Sequence, residues 1–274
     1  MPSNSEDWKK IADMFNLNWN FPHCIGKLDG KHCVLQNPIH GGSDYYNYKS
    51  DFSIVLMRIV DANYCFIYVN VGTQGRISDG GVFRNTKFYE KLQGNELGLP
   101  PDVALPYRQM EMPFVLVADD AFPMQKHIMK PYSGHQESRS VKRLFNYRLS
   151  RARRVVETAF GILSSVFRVL RKPMLLEPER ATTVIMTCVY LHNFLRKTKL
   201  SRCIYTPRGT FDHDDRGTVT LGSWRRINEE DPLASYFPLL NVPRRSALST
   251  EQIRNEFAEY FSTVGQVPWQ NSYA

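Results

Sequence analysis

The chain has 274 residues, of which 42% are hydrophobic and 23% charged, and its formal net charge is +8. This length and composition fit one large or two small globular domains and exclude a wholly disordered or fibrous protein. The sequence has no apolar run near the roughly 20 residues of a membrane span and no apolar signal core, and its five cysteines lack a CxxC pair, which favours a reducing cytosolic or nuclear compartment.

The first third of the chain predicts a short helix over residues 6–15 and then an antiparallel meander of strands. Apolar and alternating runs place the strands at 24–29, 32–36, 52–60 and 64–71. Asp29-Gly30 separates the first two strand segments and favours a tight turn or a local kink there.

The rest of the chain adds one strand and then turns helical. The segments expected are a glycine-rich loop at 72–81, a helix at 81–92, a buried strand at 114–118, a long helix at 141–167, an apolar and buried helix at 179–198, a polar loop at 199–248 and a last helix at 249–261. Strands followed by helices indicate an α+β or α/β protein.

The positive charge is concentrated between Arg139 and Lys172, where ten basic residues and a single acid, Glu157, give a net charge of +9. Such a field usually means a polyanionic partner, with nucleic acid first in line, although a solvated helix face explains it as well. Apolar residues at three- and four-residue steps form a stripe along the 141–167 helix. Glu157 falls roughly 150° from the centre of that stripe, so we predict it outside the packed face.

Three acids stand where a metal site could form. Asp29 and Asp119 each follow an apolar strand segment, and Glu157 lies in the basic helix. Carboxylates on rigid elements can hold Mg²⁺, and two ions about 4 Å apart can stabilise the attacking and leaving oxygens of phosphodiester cleavage. Acids beside so many cations therefore suit a nuclease. The alternatives are ordinary turn aspartates and a surface ion pair of Glu157 with Arg153 or Arg154.

Six motifs in order along the chain resemble the PIF/Harbinger transposase superfamily, including its domesticated nuclease branch. They are WNFPHCIGKLDGKHC (19–33), YYNYKSDFSIVL (45–56), VGTQGRISDGGVF (71–83), VADDAFPM (117–124), FNYRLSRARRVVETAFGILSSVFRVLRKP (145–173) and YLHNFLR (190–196). Each motif is modest alone, but six in the right order are specific.

The resemblance implies a DDE metal site, with acids on the first strand, at the end of a later strand and on a helix. Asp29, Asp119 and Glu157 match these catalytic positions and would coordinate two Mg²⁺ or Mn²⁺ ions. Asp79 matches a further acidic position credited with metal binding, although its Ser-Asp-Gly-Gly context also fits a plain turn. Asp120 is an open alternative to Asp119, while the spacing to the following proline favours Asp119.

The resemblance also implies the architecture. The expected class is α/β with α+β element order: an RNase H-like fold with a mixed central sheet flanked by helices and a C-terminal helical and loop extension. The expected divisions are a lead-in at 1–18, the nuclease domain at 19–198, a polar, partly disordered loop at 199–248, and a C-terminal helix and tail at 249–274.

DNA is the expected partner, in the nucleus. The residues expected to contact its phosphates are Lys142, Arg143, Arg148, Arg151, Arg153, Arg154, Arg168, Arg171 and Lys172. Members of the family typically carry an N-terminal helix-turn-helix region, whereas here only 18 residues precede the WNFP motif. We therefore expect a Myb/SANT-like or MADF-like protein to recruit the chain to DNA, with a second copy of the chain as a further candidate partner and no membrane. A non-cleaving protein that binds such a partner is the alternative function.

Overall fold

A computed structural model describes residues 1–39, 41–216, 218–226 and 247–274. Most of the predicted 199–248 loop beyond residue 226 therefore lies outside the described residues. Within the described part of the chain, no helix is long and apolar enough to cross a membrane.

The centre of the molecule is a mixed five-stranded sheet. The strands of the described residues are β1 Cys24–Val34, β2 Ser53–Val60, β3 Phe66–Gln74, β4 Val103–Ala104, β5 Glu111–Met112, β6 Val115–Val117, β7 Ile128–Met129, β8 His213–Asp215 and β9 Thr218–Thr220. The central sheet has the order β3-β2-β1-β6-β7, and the other four strands form two separate ribbons. The β1–β2 and β2–β3 pairs are antiparallel, whereas β1–β6 and β6–β7 are parallel.

The predicted meander is confirmed, but its first turn is wrong. Asp29 and Gly30 lie inside one continuous strand, β1, where Asp29 pairs with Arg58 and Gly30 with Met57 of β2. The ladder to β2 continues through both positions because β2 is buried along its whole length and holds the apolar residues of β1 against it.

Helices cover both faces of this sheet. They are α1 Ser5–Trp19, α2 Asp79–Arg84, α3 Lys87–Gln93, α4 Val141–Val166, α5 Pro178–Lys197, α6 Lys199–Tyr205, α7 Ser223–Arg226 and α8 Leu248–Ser262. Side chains of α4, α5 and α8 pack on one face, and those of α2 and α3 pack on the other. The expected RNase H-like arrangement, a mixed sheet flanked by helices, is therefore present.

Three elements differ from the expectations. The single helix expected at 81–92 is two short helices, because Ser78 caps α2 and Thr86 caps α3. The expected loop after residue 198 contains α6, the β8–β9 ribbon and α7, anchored where Trp224 is buried against Gly161 of α4. The helix expected to be buried, α5, buries one face and exposes Tyr190 and Phe194 on the other.

Candidate active site

The three acids predicted to be catalytic lie between the sheet and α4. In β1 and β6 the side chains alternate between the two faces, which directs Asp29 and Asp119 toward α4. On α4, Glu157 lies one turn from both Arg153 and Phe160. Arg153 Nη2 is 3.9 Å from Asp119 Oδ2. The Phe160 ring lies under the guanidinium of Arg58, and Arg58 is ion-paired with Asp29.

Two buried cations hold Asp29. Arg58 Nη2 donates to Asp29 Oδ2 at 2.7 Å, and Lys27 Nζ lies 3.6 Å from Asp29 Oδ1. Both cationic side chains are at most 3% exposed, and the Arg58 guanidinium also stacks on Phe160 at 4.7 Å from the ring centroid. Burial acts to raise the pKa of Asp29, but Lys27 and Arg58 outweigh it and hold this pKa below its ordinary value. Asp29 is therefore an ionised carboxylate at neutral pH.

Glu157 differs from its predicted surroundings. It is half-buried and forms no ion pair with Arg153 or Arg154, so the surface ion pair considered for it is wrong. Burial, and secondly the negative charge of Asp29, raise the pKa of Glu157. At Glu157 the helix face outside the apolar stripe is thus partly covered, whereas at Arg143 and Ser150 the same face is exposed.

Asp119 and Asp120 have separate surroundings. The Oδ1 atom of Asp119 accepts a hydrogen bond from the Ala121 backbone N–H at 3.0 Å, and its Oδ2 faces Arg153 of α4. Asp120 is mostly exposed and lies 3.8 Å from Lys130. The contact with α4 therefore belongs to Asp119.

Asp79 reaches the site from the other face of β1. A Cβ built on Gly30 would lie 2.2 Å from Asp79 Oδ1, so the carboxyl packs on the side of the strand opposite to Asp29 and requires glycine at residue 30. Within the described residues, this Oδ1 atom is buried without a hydrogen-bond partner. Burial, followed by the charges of Asp29 and Asp119, raises the pKa of Asp79 to about 7.

The metal-free protein is expected to lose stability, relative to Asp79→Asn, as the pH rises from about 4 to about 7. The unfolded carboxyl releases its proton near its ordinary pKa of 3.8, whereas the folded one keeps it up to about 7. Between these two pKa values the folded state binds more protons than the unfolded state. The free energy of unfolding therefore falls as the pH rises through this interval. Urea unfolding in EDTA across this range measures the difference, with the half-exposed Asp44→Asn as control. Parallel pH curves for wild type and Asp79→Asn would contradict the shift.

The acids supply the oxygen ligands that Mg²⁺ and Mn²⁺ prefer. No three His, Cys, Asp or Glu side chains of the described residues are grouped closely enough to hold a metal ion. The chemistry of the donor set fits a divalent cation nevertheless, and the unpartnered Asp79 Oδ1 is one buried oxygen available to it. Asp29, Asp119 and Glu157 would hold such an ion on the α4 side, and Asp79 would approach from the Gly30 side.

The ten basic residues of the 139–172 segment fall into three groups by exposure. The exposed ones are Arg139, Lys142, Arg143, Arg168 and Lys172, the partly buried ones are Arg153, Arg154 and Arg171, and the buried ones are Arg148 and Arg151. The prediction that Arg148 and Arg151 contact phosphates is wrong, because both are buried and bonded within the protein.

Their partners explain the burial. Arg148 donates to the carbonyl oxygens of Asn20 and Gly265 and to the side chain of Gln270. Arg151 Nε lies 2.9 Å from Asp214 Oδ2 of β8, and the partly exposed Arg154 lies 3.1 Å from the same oxygen. Part of the positive charge of α4 therefore forms hydrogen bonds and ion pairs with residues near the two chain termini and in the β8–β9 ribbon.

Lys27 and Arg58 are two residues of the site that were not predicted from the sequence. The available signal was a single cation inside each of two apolar strand runs, IGKLD and VLMRIV. A charge that is buried in a strand needs a partner, and the nearby Asp29 provides it.

An RNase H-like sheet with acids on β1, after β6 and on α4 defines a DDE-type nuclease fold. The family model described as DDE superfamily endonuclease matches residues 28–193, which is more than half of the chain. The chain therefore belongs to the DDE superfamily endonuclease family.

Two curated relatives from Arabidopsis thaliana extend this result. Protein ALP1-like is 27% identical over 195 residues, covering 68% of this chain and 46% of the relative. The protein named Antagonist of Like Heterochromatin Protein 1 is 23% identical over 197 residues, covering 70% of this chain and 48% of the relative. The chain thus spans about half the length of these relatives, and together with the family model they support a Harbinger-type member of the superfamily. No solved structure gives a significant match.

Proposed function

We propose that the protein is a divalent-metal-dependent DNA endonuclease of the Harbinger type, acting in the nucleus. The observation that carries the proposal is that β1, the end of β6 and α4 bring Asp29, Asp119 and Glu157 to one face of the sheet, beside Arg153. When bound, Mg²⁺ or Mn²⁺ supplies activation of a water or 3′-hydroxyl nucleophile and stabilisation of the leaving oxygen.

The cationic residues of the site and of the basic segment have separate roles in this proposal. Arg58 and Lys27 keep Asp29 ionised and fix the direction of its carboxylate. Arg153 brings positive charge to Asp119 at the position where a phosphate would approach. The exposed cations of the basic segment would hold flanking phosphates. Those among the predicted phosphate contacts are Lys142, Arg143, Arg168 and Lys172.

The test is cleavage of supercoiled plasmid DNA with Mn²⁺, with and without a Myb/SANT-like DNA-binding partner. Asp29→Asn and Glu157→Gln are expected to lower the cleavage rate by more than about a hundredfold. Loss of a residue that only hydrogen-bonds to a metal ligand already costs roughly 10- to 100-fold in activity, and loss of the ligand itself should cost more. Asp120→Asn is the matched control, since this acid is exposed and faces Lys130, and it should keep the activity. Full activity in both site variants would refute the assignment.

The second candidate function is a non-cleaving nuclear protein that binds a Myb/SANT-like or MADF-like partner, or a second copy of the chain. The observation that favours it is the ion pairing of Asp29, whose two carboxylate oxygens both face buried cations and so have a structural role without a metal. Titration with Mn²⁺ in the presence of DNA separates the two functions. Binding that disappears in Glu157→Gln supports the nuclease, and no binding near neutral pH supports the scaffold.

A further inference from the structure

Tyr48, in the loop between β1 and β2, is an aromatic side chain presented to solvent beside the acids. Its side chain is 63% exposed, although the loop that carries it is firmly held. We propose that the Tyr48 ring stacks on an unpaired DNA base next to the phosphate that is cleaved. The inference rests on the proposed nuclease function, and it specifies the form of DNA that the site binds.

The loop is held by Asn47, which is buried. Its side-chain Nδ2 donates to Ser53 Oγ at 2.8 Å, and its Oδ1 accepts from the backbone N–H groups of Lys49 and Asp51 at 2.8 and 3.2 Å. These bonds fix the backbone on both sides of residue 48. A rigid aromatic loses little conformational freedom when a ligand stacks on it, which is what a stacking platform requires.

The direction of the ring is set by His32 of β1. His32 Nδ1 is 2.8 Å from Ser53 Oγ, and its ring meets the Tyr48 ring edge to face at 5.5 Å between centroids. His32 projects from the same face of β1 as Gly30, about 7 Å farther along the strand. Asp79 packs against Gly30, so Tyr48 and Asp79 contact the same face of β1, Tyr48 at His32 and Asp79 at Gly30.

The electrostatics of Tyr48 agree with this placement. Burial, followed by the charges of Asp79, Asp119 and Asp29, raises the pKa of its phenol. The negative charges of these acids thus act on the phenol, and an ammonium, Lys49 Nζ, lies over the ring at 5.7 Å from its centroid. An exposed aromatic ring on a fixed loop is a surface on which an unpaired base can stack.

The accessible base must be an unpaired one. In a duplex the faces of the bases are covered by their neighbours, so a protein side chain can stack fully only on a base that has left the helix or belongs to a single strand. Stacking on aromatic side chains tolerates every base, because each has a π-face. The expected ligand is therefore single-stranded or locally opened DNA, without a strong sequence preference at this position.

The experiment measures binding of a fluorescent single-stranded thymidine oligonucleotide, and of the same backbone without bases, to the full chain in EDTA. Tyr48→Ala is expected to weaken thymidine binding by about tenfold and to leave binding of the abasic strand unchanged, whereas Tyr48→Phe should stay within about twofold of wild type. Tyr190→Ala is the matched control, because Tyr190 is 67% exposed on α5 and lies outside the site.

The outcomes are distinct. Equal thymidine binding by wild type and Tyr48→Ala, equal losses in Tyr48→Ala and Tyr190→Ala, or a loss that is the same for the abasic strand would each overturn the inference. Since no metal or cleavage is involved, base-dependent binding combined with an inactive plasmid assay would refute the nuclease and leave the stacking site standing. Plasmid cleavage combined with oligonucleotide binding that does not depend on Tyr48 would support the nuclease and overturn the stacking site.

Discussion

Arg58→Met is expected to lower the free energy of unfolding by about 3 kcal/mol, because it leaves the Asp29 carboxylate with one partner fewer in a buried position. Arg58 is 2% exposed and is the residue directly across from Asp29 in the β1–β2 ladder. The remaining cation, Lys27, is 3.6 Å from the carboxylate and compensates only in part. Urea unfolding of the metal-free protein measures the change.

Two further variants distinguish the loss of this buried ion pair from a nonspecific loss of stability caused by replacing an arginine. Arg76→Met removes a contact of nearly the same length, 2.8 Å to Asp44, between half-exposed side chains, and should cost under about 1 kcal/mol. The double variant Asp29→Asn/Arg58→Met should lose less than the sum of the single changes, since the two side chains interact. Equal losses in Arg58→Met and Arg76→Met would contradict the importance of burial.

Arg148→Met is expected to lower the free energy of unfolding by about 3 kcal/mol while DNA affinity stays unchanged. The guanidinium of Arg148 is 1% exposed and lies over the Phe261 ring at 4.4 Å from its centroid. It also donates to the part-buried carbonyl oxygens of Asn20 and Gly265 and to the buried side chain of Gln270, and methionine would remove all three donors. Because Arg148 joins α4 to the chain near α1 and after α8, its loss should loosen these contacts and leave the proposed DNA surface intact.

The matched control for this prediction is Arg143→Met, five positions earlier on the same helix and exposed. It should leave stability nearly unchanged and weaken DNA binding, with the slope of log affinity against log salt falling by about one. Binding titrations at several salt concentrations, together with thermal unfolding, give both quantities. A drop in DNA affinity and salt slope for a stable Arg148→Met variant would contradict this prediction and assign Arg148 to the proposed DNA surface.

The helix α5, which was expected to be buried, has one exposed face. The apolar run that predicted a buried helix continues around the helix, so that Leu191 and Phe194 face solvent while Ile185 and His192 are buried. Composition alone does not tell which side of an apolar helix faces the sheet, because both sides look alike in the sequence.

The candidate site was predictable in its acids and not in its cations. Asp29, Asp119 and Glu157 follow from strand ends, a charge pattern and the family motifs. Their relation to Lys27 and Arg58 depends on the pairing of β1 with β2. A strand register is a long-range property, and one residue of slip would move Arg58 to the other face.

The sequence by itself determined the family, the mixed α/β class and the long basic helix, and it nominated the three candidate acids, because each is recorded in local periodicity or in ordered motifs. The tertiary structure alone decided which charges are available. It buried Arg148 and Arg151 against distant partners, placed Asp79 behind Gly30, and turned the Asp29-Gly30 dipeptide into the middle of a strand. The physical reason is that burial and ion pairing depend on neighbours far away in the chain, so the net charge of +8 in the sequence does not state how much positive charge remains free for DNA.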